Sequence, residues 1–264
     1  MDRDQENRRE NTVKLKGRVA IVTGASRGLG KAMALGLARE GAAVVVAART
    51  EKTDPNGLEG TIHTTAEEIR ALGGSCLAVR CDVTREDQVE SIVQETMREF
   101  GSIDILVNNA GIAFPASVWE LPLKRWELVF RVNLTGSFIC TKSVLPAMMD
   151  QKRGSIILLS SVQAQARGSV PSGIAYGVSK AALERMTYGL ATELGQFNIA
   201  VNCLKPRGSI ETEGMRFLNP DADRSRWDTP EKLVKAALFL SSQDASGVTG
   251  TVATDEEICL WHGL

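Results

Sequence analysis

The chain has 264 residues, 43% of them hydrophobic and 24% charged, which is typical of a globular protein that buries its core without disulfide or metal staples. The formal net charge of −1 argues against nucleic acid as a partner, because no excess of positive charge is present to gather phosphates. Two distant histidines, five scattered cysteines and short apolar runs argue against a metal site and against a membrane span.

The N-terminal residues 1–16 carry mixed charges and almost no apolar side chains. We therefore expect a disordered or loosely docked tail ahead of a single domain over residues 17–264. The cysteines form no C-x-x-C motif, and the N-terminus has no apolar segment of the kind that directs export. Reduced thiols and a cytoplasmic location are the corresponding expectations.

From residue 18 onward, short β-branched runs alternate with longer helical stretches. The runs are apolar on both faces, which predicts a doubly wound α/β domain with a parallel sheet of about seven strands and helices on both sides. The predicted strands, in chain order, are Val19–Val22, Ala43–Ala47, Cys76–Val79, Ile103–Val107, Ser155–Leu159, Ile199–Leu204 and, with a weaker pattern, Thr251–Thr254.

Polar segments predict where two of the helices begin. Thr64–Glu68 contains two overlapping capping boxes, and Thr84–Asp87 precedes apolar residues at helical spacing. A later polar stretch over residues 213–229 interrupts the alternating pattern, and we interpret it as a candidate lid.

A glycine-rich turn follows the first predicted strand and leads into a helical segment, Lys31–Glu40. Its sequence is Thr23-Gly24-Ala25-Ser26-Arg27-Gly28-Leu29-Gly30. Glycines permit a tight turn and let backbone N–H groups approach a pyrophosphate at the positive end of a helix. The spacing GxxxGxG differs from the usual GxGxxG, so a turn without a ligand stays open as an alternative.

The same turn also matches G-x-S-x-G, the nucleophile elbow of α/β-hydrolases, with Ser26 as the nucleophile. Asp255 and His262 follow in the order that a hydrolase needs. Two features weigh against this alternative. Only one strand precedes the motif, and His262 lies close to the C-terminus, where chain ends usually fray.

A second constellation lies in the middle of the chain. Tyr176 and Lys180 are one helical turn apart on one helix face, and a nearby positive charge favours the phenolate. Ser161 follows a predicted strand, and Asn108-Asn109-Ala110-Gly111 ends another. Because the carboxyl ends of parallel strands share one edge, we expect these groups to meet there.

Together these motifs resemble the short-chain dehydrogenase/reductase family over about residues 17–252. The resembling residues, in the family's order, are Thr23, Gly24, Gly28, Gly30, Asp82, Val83, Asn108, Asn109, Ala110, Gly111, Asn133, Ser161, Tyr176, Lys180, Pro206, Ile210 and Thr212. The resemblance implies a nicotinamide dinucleotide cofactor and reversible reduction of a ketone or aldehyde to an alcohol by hydride transfer. The implied partner is thus a small carbonyl or alcohol substrate.

The resemblance also implies roles for the catalytic residues. Tyr176 would be the general acid/base, and Ser161 would donate a hydrogen bond to the substrate oxygen. Lys180 would bind the nicotinamide ribose and lower the pKa of the tyrosine. Asn133, which lies in a kinked helix, would hold a water that links Lys180 to solvent.

The cofactor would contact the chain along the whole sheet edge. Asp82 and Val83 would meet the adenine, Asn109–Gly111 the adenosine ribose, and Ile210 and Thr212 the carboxamide. The implied cofactor-binding residues are Gly24, Ser26, Arg27, Gly28, Leu29, Gly30, Arg49, Asp82, Val83, Asn109, Ala110, Gly111, Tyr176, Lys180, Pro206, Ile210 and Thr212.

The end of the second predicted strand bears on the choice of cofactor. Relatives that use NAD have an acidic residue there, which holds both ribose hydroxyls and repels a 2′-phosphate. Here the strand ends Val46-Ala47-Ala48 and Arg49 follows, with Arg27 on the same side by family analogy. Two guanidinium groups favour a phosphate, so we expect NADP(H) rather than NAD(H). The alternative is a solvated Arg49, with Glu51 binding the ribose.

The chain also departs from the family pattern. Pro206-Arg207-Gly208 has one more residue than the usual Pro-Gly, and the loop Gln163–Gly173 is about two residues longer than expected. Val252-Ala253-Thr254-Asp255 replaces the usual Val-Asp-Gly-Gly near the end. The excursion Asp54–Ile62 resembles a subgroup that includes the hydroxysteroid dehydrogenase-like proteins.

The substrate itself is not identified by these motifs. Arg207 would suit a substrate carboxylate, or it could be a surface residue. The residues expected around the pocket are Ala113, Phe114, Gln163, Gln165, Arg207, Met215, Phe217 and Trp227.

Two predicted helices, around Leu128–Met149 and after Tyr176, are apolar on more than one face. A helix of that kind needs cover on both sides. Family members pair these helices across a dimer axis, which implies a homo-oligomer, either a dimer or a tetramer. A nucleotide-binding regulator with the same fold but without turnover is the alternative to an enzyme.

Overall fold

The computed structural model describes residues 15–53, 57–167, 172–218 and 221–264. Most of the predicted tail, residues 1–14, lies outside the described residues. Leu15 was assigned to that tail, but it is 1% exposed in the core, and its N–H donates to the Glu40 carbonyl over 3.1 Å. The packed part of the chain therefore begins before residue 17.

The described residues contain a sheet of seven parallel strands in the order β3-β2-β1-β4-β5-β6-β7. This order confirms the predicted doubly wound fold and all seven predicted strands. The chain turns from one side of β1 to the other at β4, and ligands of such sheets bind outside the carboxyl ends at that switch point. The strands are β1 (Val19–Thr23), β2 (Ala43–Ala48), β3 (Cys76–Arg80), β4 (Ile105–Asn108), β5 (Gly154–Leu159), β6 (Ile199–Lys205) and β7 (Val252–Thr254).

Helices cover both faces of the sheet. On one face α1, α2, α8 and α9 enclose a core that includes Met33, Leu37 and Leu240; on the other, α3, α5 and α6 enclose a core that includes Ile92 and Met148. The helices are α1 (Gly28–Arg39), α2 (Ile62–Ala71), α3 (Glu86–Phe100), α4 (Leu123–Phe130), α5 (Gly136–Asp150), α6 (Ile174–Leu194), α7 (Glu213–Leu218), α8 (Glu231–Ser241) and α9 (Asp255–His262).

The predicted start of α2 is wrong by several residues. The helix begins at Ile62, and its capping box joins Thr61 to Thr64: the Thr64 N–H donates to Thr61 Oγ1 and the Thr61 N–H to Thr64 Oγ1. The capping boxes predicted within Thr64–Glu68 therefore do not form the cap. Ile62 is 1% exposed, and burying this side chain extends the helix toward its N-terminus.

Strand β4 begins two residues later than predicted, directly after Asp104. Its carboxylate is buried, accepts a hydrogen bond from the Val19 N–H over 2.9 Å, and pairs with Arg18 and Arg153. The departure at Val252–Asp255 forms β7 and the start of α9, which Thr254 caps. No helix in the described parts of the chain is long and apolar enough to cross a membrane.

Candidate active site

The glycine-rich turn joins β1 to α1 and is fastened to the end of β4. Gly24 and Gly28 have φ values of +66° and +57°, which side chains other than glycine rarely adopt. A methyl group on Gly30 would overlap the Gly24 carbonyl and the Asn109 amide. That amide donates to the Thr23 and Gly24 carbonyls over 2.8 and 3.2 Å. The turn is thus held open by backbone geometry, as a bound pyrophosphate requires.

Arg27 lies beside this turn and bonds to the excursion that follows β2. Its Nη2 donates to the Gly60 carbonyl over 2.8 Å, whereas its Nε is buried without a hydrogen-bond partner among the described residues. Gly60 is itself pressed against the Ser26 carbonyl, where a Cβ would clash. The buried, unpaired N–H suits an anionic ligand.

Asp82 and Arg49 lie close together at the ends of β3 and β2. Thr84 donates to the Asp82 carboxylate from its N–H over 3.0 Å and from its hydroxyl over 2.8 Å. Burial raises the pKa of Asp82, but these bonds and the charges of Arg49 and Arg80 outweigh it, so the pKa lies below its ordinary value. Glu51, the alternative ribose ligand, instead pairs with Arg80 at 3.4 Å.

Ser161 and Tyr176 are brought together across the end of β5. Their side chains lie close to each other, and the Ser161 oxygen accepts from the Gln163 N–H over 3.2 Å. Burial raises the pKa of Tyr176, while the neighbouring Ser161 hydroxyl lowers it, and the net direction is upward. Lys180 is not among the groups that set the direction of this shift, so the expected depression of this pKa by Lys180 stays a prediction.

Lys180 is buried beside the ring of Tyr176. Its Nζ donates to the Leu159 carbonyl over 2.6 Å and is 5.5 Å from the centre of the Tyr176 ring. Burial lowers the pKa of Lys180 to about 8, so this pKa lies only slightly above neutral pH. Leu159 ends β5 directly before Ser160 and Ser161, so the ammonium, the phenol and the serine lie at one edge of the sheet.

Asn133 lies in a π-helical turn, Arg131–Thr135, between α4 and α5, which confirms a distorted helix at this position. Its amide oxygen accepts from the Ile112 N–H over 2.8 Å, and its amide nitrogen donates to the Ile112 carbonyl and to Ser179 Oγ, both over 3.0 Å. Ser179 precedes Lys180, so Asn133 ties the loop after β4 to the helix that carries the tyrosine and the lysine.

The segment after β6 meets the glycine-rich turn. Ile210 is buried, and Thr212 lies beside Gly28. The next residue, Glu213, was not predicted as a site residue: its carboxylate accepts from the Gly28 N–H over 3.0 Å. It therefore occupies the start of α1, where a phosphate is expected, and the only sequence signal was its place beside Thr212.

Several residues expected around the substrate have other partners. Arg207 donates to Glu256 over 2.7 Å and its side chain is largely exposed, so it lies at the surface against α9. Gln163 exchanges two hydrogen bonds with Ser172, across the loop whose residues 168–171 lie outside the described parts. Gln165 donates to Glu184 over 2.8 Å.

Other expected pocket residues, Phe114 and Trp227, face the Arg125 and Arg224 guanidinium groups at 5.0 and 5.9 Å from the ring centres. Phe217 is largely exposed.

The hydrolase alternative finds no geometric support. Asp255 accepts hydrogen bonds from the Arg207 and Glu256 N–H groups, and His262 stacks on Phe239 at 4.1 Å between ring centres. Ser26 is buried in the turn. Among these described residues, the carboxylate and the imidazole are thus directed at other partners, and no serine triad is assembled.

The site as a whole fits a nicotinamide dinucleotide. A Cβ on Gly24 or Gly30 would clash with the Asn109 amide, Arg27 has a buried unpaired N–H, and a carboxylate already bonds to the N-terminus of α1. These features agree with an extended anionic ligand that runs along the edge from β3 to β6.

Known proteins with this fold share its sequence as well. "Hydroxysteroid dehydrogenase-like protein 2" from Bos taurus is 37% identical over 96% of this chain, which spans 60% of that relative's length. A crystal structure of a putative dehydrogenase from Xanthomonas campestris has a TM-score of 0.86 and 36% identity, over 94% of this chain and 91% of the other. A putative NAD(P)-dependent gluconate 5-dehydrogenase from Beutenbergia cavernae with bound NADP has a TM-score of 0.81 and 34% identity, over 92% and 97%.

The short chain dehydrogenase family profile matches residues 18–223, which is most of the chain and includes the turn, the serine, the tyrosine and the lysine. With this match, the relatives' identities and the parallel sheet, the chain belongs to the short-chain dehydrogenase family.

Proposed function

We propose that the protein is an NADP(H)-dependent oxidoreductase that reversibly reduces the carbonyl group of a small ketone or aldehyde to an alcohol. One observation carries the proposal: Ser161 and Tyr176 lie close together beside the buried ammonium of Lys180, at the sheet edge that bears the glycine-rich turn. The bound cofactor supplies the hydride, and the chain supplies position, a proton and hydrogen bonds.

Each residue of the set has a distinct task. Ser161 and Tyr176 donate hydrogen bonds to the substrate oxygen and orient the carbonyl carbon. Because the raised pKa keeps Tyr176 protonated at neutral pH, the phenol can give its proton to the developing alkoxide. Lys180 holds the ribose hydroxyls, and Asn133 fixes the helix turn that carries Ser179 and Lys180.

The preference for NADP(H) is proposed from charge. Arg27 has a buried, unpaired Nε, and Arg49 follows the second strand without an acidic residue in the NAD-type position. Both guanidinium groups suit a 2′-phosphate, and Glu51 is engaged by Arg80. A relative of known structure from Beutenbergia cavernae contains bound NADP, which supports the same choice.

We also propose a homo-oligomer, a dimer or tetramer, as the working form. A groove of about 310 Å³ between α3 and α5 has apolar lining residues, Val93, Phe138, Ile139 and Pro146, beside polar ones such as Lys142, and Phe138 is 49% exposed. The exposed apolar part of this groove suits a second copy of the chain. Light scattering at micromolar concentration should give a mass at least twice that of one chain, and a monomer mass would refute the proposal.

The proposed location is a reducing, cytoplasmic compartment. All five cysteines lie in the described parts of the chain and are free thiols. Free thiols, three of them buried, are typical of proteins that fold under reducing conditions.

A substrate screen tests the proposed reaction. The full chain is incubated with NADPH and a panel of ketones and aldehydes, and with NADP⁺ and secondary alcohols, while the absorbance of reduced nicotinamide is followed. We expect turnover with at least one carbonyl–alcohol pair. Dinucleotide binding, detected by NADPH fluorescence, without turnover on the whole panel would instead favour a nucleotide-binding regulator.

A further inference from the structure

A buried carboxylate beneath the site has no role in the mechanism above. Glu184 lies on α6, one turn beyond Lys180, and is 7% exposed. Its Oε1 accepts from Lys205 Nζ and from the Ser160 hydroxyl, both over 3.1 Å, and its Oε2 accepts from Gln165 Nε2 over 2.8 Å. Three donors thus converge on one carboxylate inside the protein.

Each donor belongs to a different segment that borders the site. Ser160 follows β5 and precedes Ser161, and Gln165 follows the short turn that Ser161 caps by accepting from the Gln163 N–H. Lys205 is the last residue of β6 and precedes Pro206, where the nicotinamide-side loop begins. Glu184 therefore joins the helix of Tyr176 to the serine segment and to the cofactor loop.

The buried ion pair is poorly explained as a source of stability. Removing two charges from water costs several kcal/mol, and apolar residues of similar volume often stabilise a core as well or better. Lys205 is 5% exposed, so both partners pay this cost. What the pair supplies, and apolar side chains could not, is a fixed direction for each of the three donors.

We propose that Glu184 is a positioning residue, which sets the place of Ser161 and of the Gln165 loop against Tyr176, with Lys205 paired to its carboxylate. The proposal rests on the proposed function for its kinetic consequence but not for its structural one. Losing the carboxylate leaves the tyrosine in place and lets the serine segment move, and misplacement of about 1 Å can cost on the order of 100-fold in rate.

Hydrogen exchange followed by mass spectrometry tests the structural consequence without needing turnover. In the variant Glu184→Gln, an amide N–H group replaces one of the two acceptor oxygens, so peptides over residues 160–167 and 204–208 should exchange faster than in the wild type. Glu193→Gln, an exposed change on the same helix, is the matched control and should leave both peptides unchanged. Unchanged exchange in Glu184→Gln would overturn the proposal.

Lys205 would be left unpaired in Glu184→Gln, and this variant could fail to fold. The double variant Glu184→Gln/Lys205→Met removes the orphaned ammonium. It should keep the melting temperature near that of the wild type and bind NADPH within about twofold, yet still show the faster exchange of the 160–167 peptide. A double variant with wild-type exchange would equally overturn the proposal.

A double-mutant cycle with Ser161→Ala tests the kinetic consequence. Glu184→Gln should lower kcat about tenfold or more, with little change in the KM for NADPH, and should have almost no further effect once Ser161 is alanine. Additive losses would indicate a general structural role and would overturn the assignment. If exchange changes as expected but the wild type reduces no carbonyl, the proposed function fails and the positioning role stands.

Discussion

The two ends of the proposed cofactor cleft are formed by different kinds of chemical groups. The proposed adenosine end has the left-handed backbone of Gly24 and Gly28 and the cations Arg27 and Arg49. The proposed nicotinamide end has two buried side chains, Tyr176 and Lys180, whose pKa values are shifted. Substitutions at the adenosine end should therefore change affinity and selectivity by small amounts. Substitutions at the nicotinamide end should change the rate of the reaction by large amounts.

The largest expected effect is at the nicotinamide end. Tyr176→Phe removes the transferable proton and should lower kcat by on the order of 10²–10⁴-fold. The affinity for NADPH should change little, because the ribose contacts come mainly from Lys180. Steady-state kinetics with a substrate from the screen, together with NADPH fluorescence titration, measure the two quantities.

Tyr188→Phe is the matched control for this change. Tyr188 lies on the same helix but is 49% exposed, so its variant should keep wild-type turnover. Near-normal turnover by the Tyr176 variant would contradict the mechanism.

The second effect concerns the pH dependence of stability. Lys180 has a pKa of about 8 in the folded protein and 10.5 in the unfolded chain. Below pH 8, the folded protein therefore bears the whole free-energy cost of burying the charged ammonium. Above pH 8 the folded form loses the proton first, and the cost disappears as the pH approaches 10.5. The free energy of unfolding of the wild type, relative to Lys180→Met, should therefore rise across this window, by up to roughly 3 kcal/mol.

Urea unfolding of both proteins at several pH values measures this difference. Lys235→Met, a change at an exposed lysine on α8, should show no such rise. A flat or falling difference for Lys180→Met would show that the folded protein holds this charge without penalty.

At the adenosine end the expected effect is a change of selectivity. The wild type should prefer NADPH to NADH in kcat/KM by about tenfold or more, and Arg27→Ala plus Arg49→Ala should erase most of the preference. Arg39→Ala, at the exposed end of α1, is the control and should keep it. A wild-type preference for NADH, or a double variant that still prefers NADPH, would contradict this assignment.

The smallest expected effect is at Glu213. Its carboxylate bonds to the Gly28 N–H, so it competes with the phosphates of the cofactor for the start of α1. Glu213→Gln should bind NADPH several-fold more tightly. The variant lacks the negative charge that repels the phosphates, and its amide oxygen accepts less strongly from the Gly28 N–H. Glu211→Gln, whose carboxylate lies 3.9 Å from Arg216, should be neutral, and weaker binding by the Glu213 variant would exclude competition.

The sequence predicts the framework of the protein far better than its tertiary contacts. All seven strands were predicted, because most are largely apolar runs between polar segments; the edge strands β3 and β7 are only partly buried. The cap of α2 was mispredicted because Thr61 and Thr64 both have cap chemistry, and only the burial of Ile62 decides between them.

Within the site, residues that follow local motifs were predicted and those that depend on convergence were not. Glu213, Glu184 and Lys205 become site neighbours only when separate segments fold together. The direction of the Tyr176 pKa likewise depends on burial, which a Tyr-x-x-x-Lys spacing does not report.

The π-helical turn at Arg131–Thr135 makes the length of this helix as important as its composition. One extra residue is accommodated in such a turn, and each residue rotates a helix by about 100°. Deleting a single residue here would restore regular winding and swing the Asn133 amide away from Ile112 and Ser179, although every contacting side chain would still be present. In this segment the number of residues in the helix sets the direction of the Asn133 side chain.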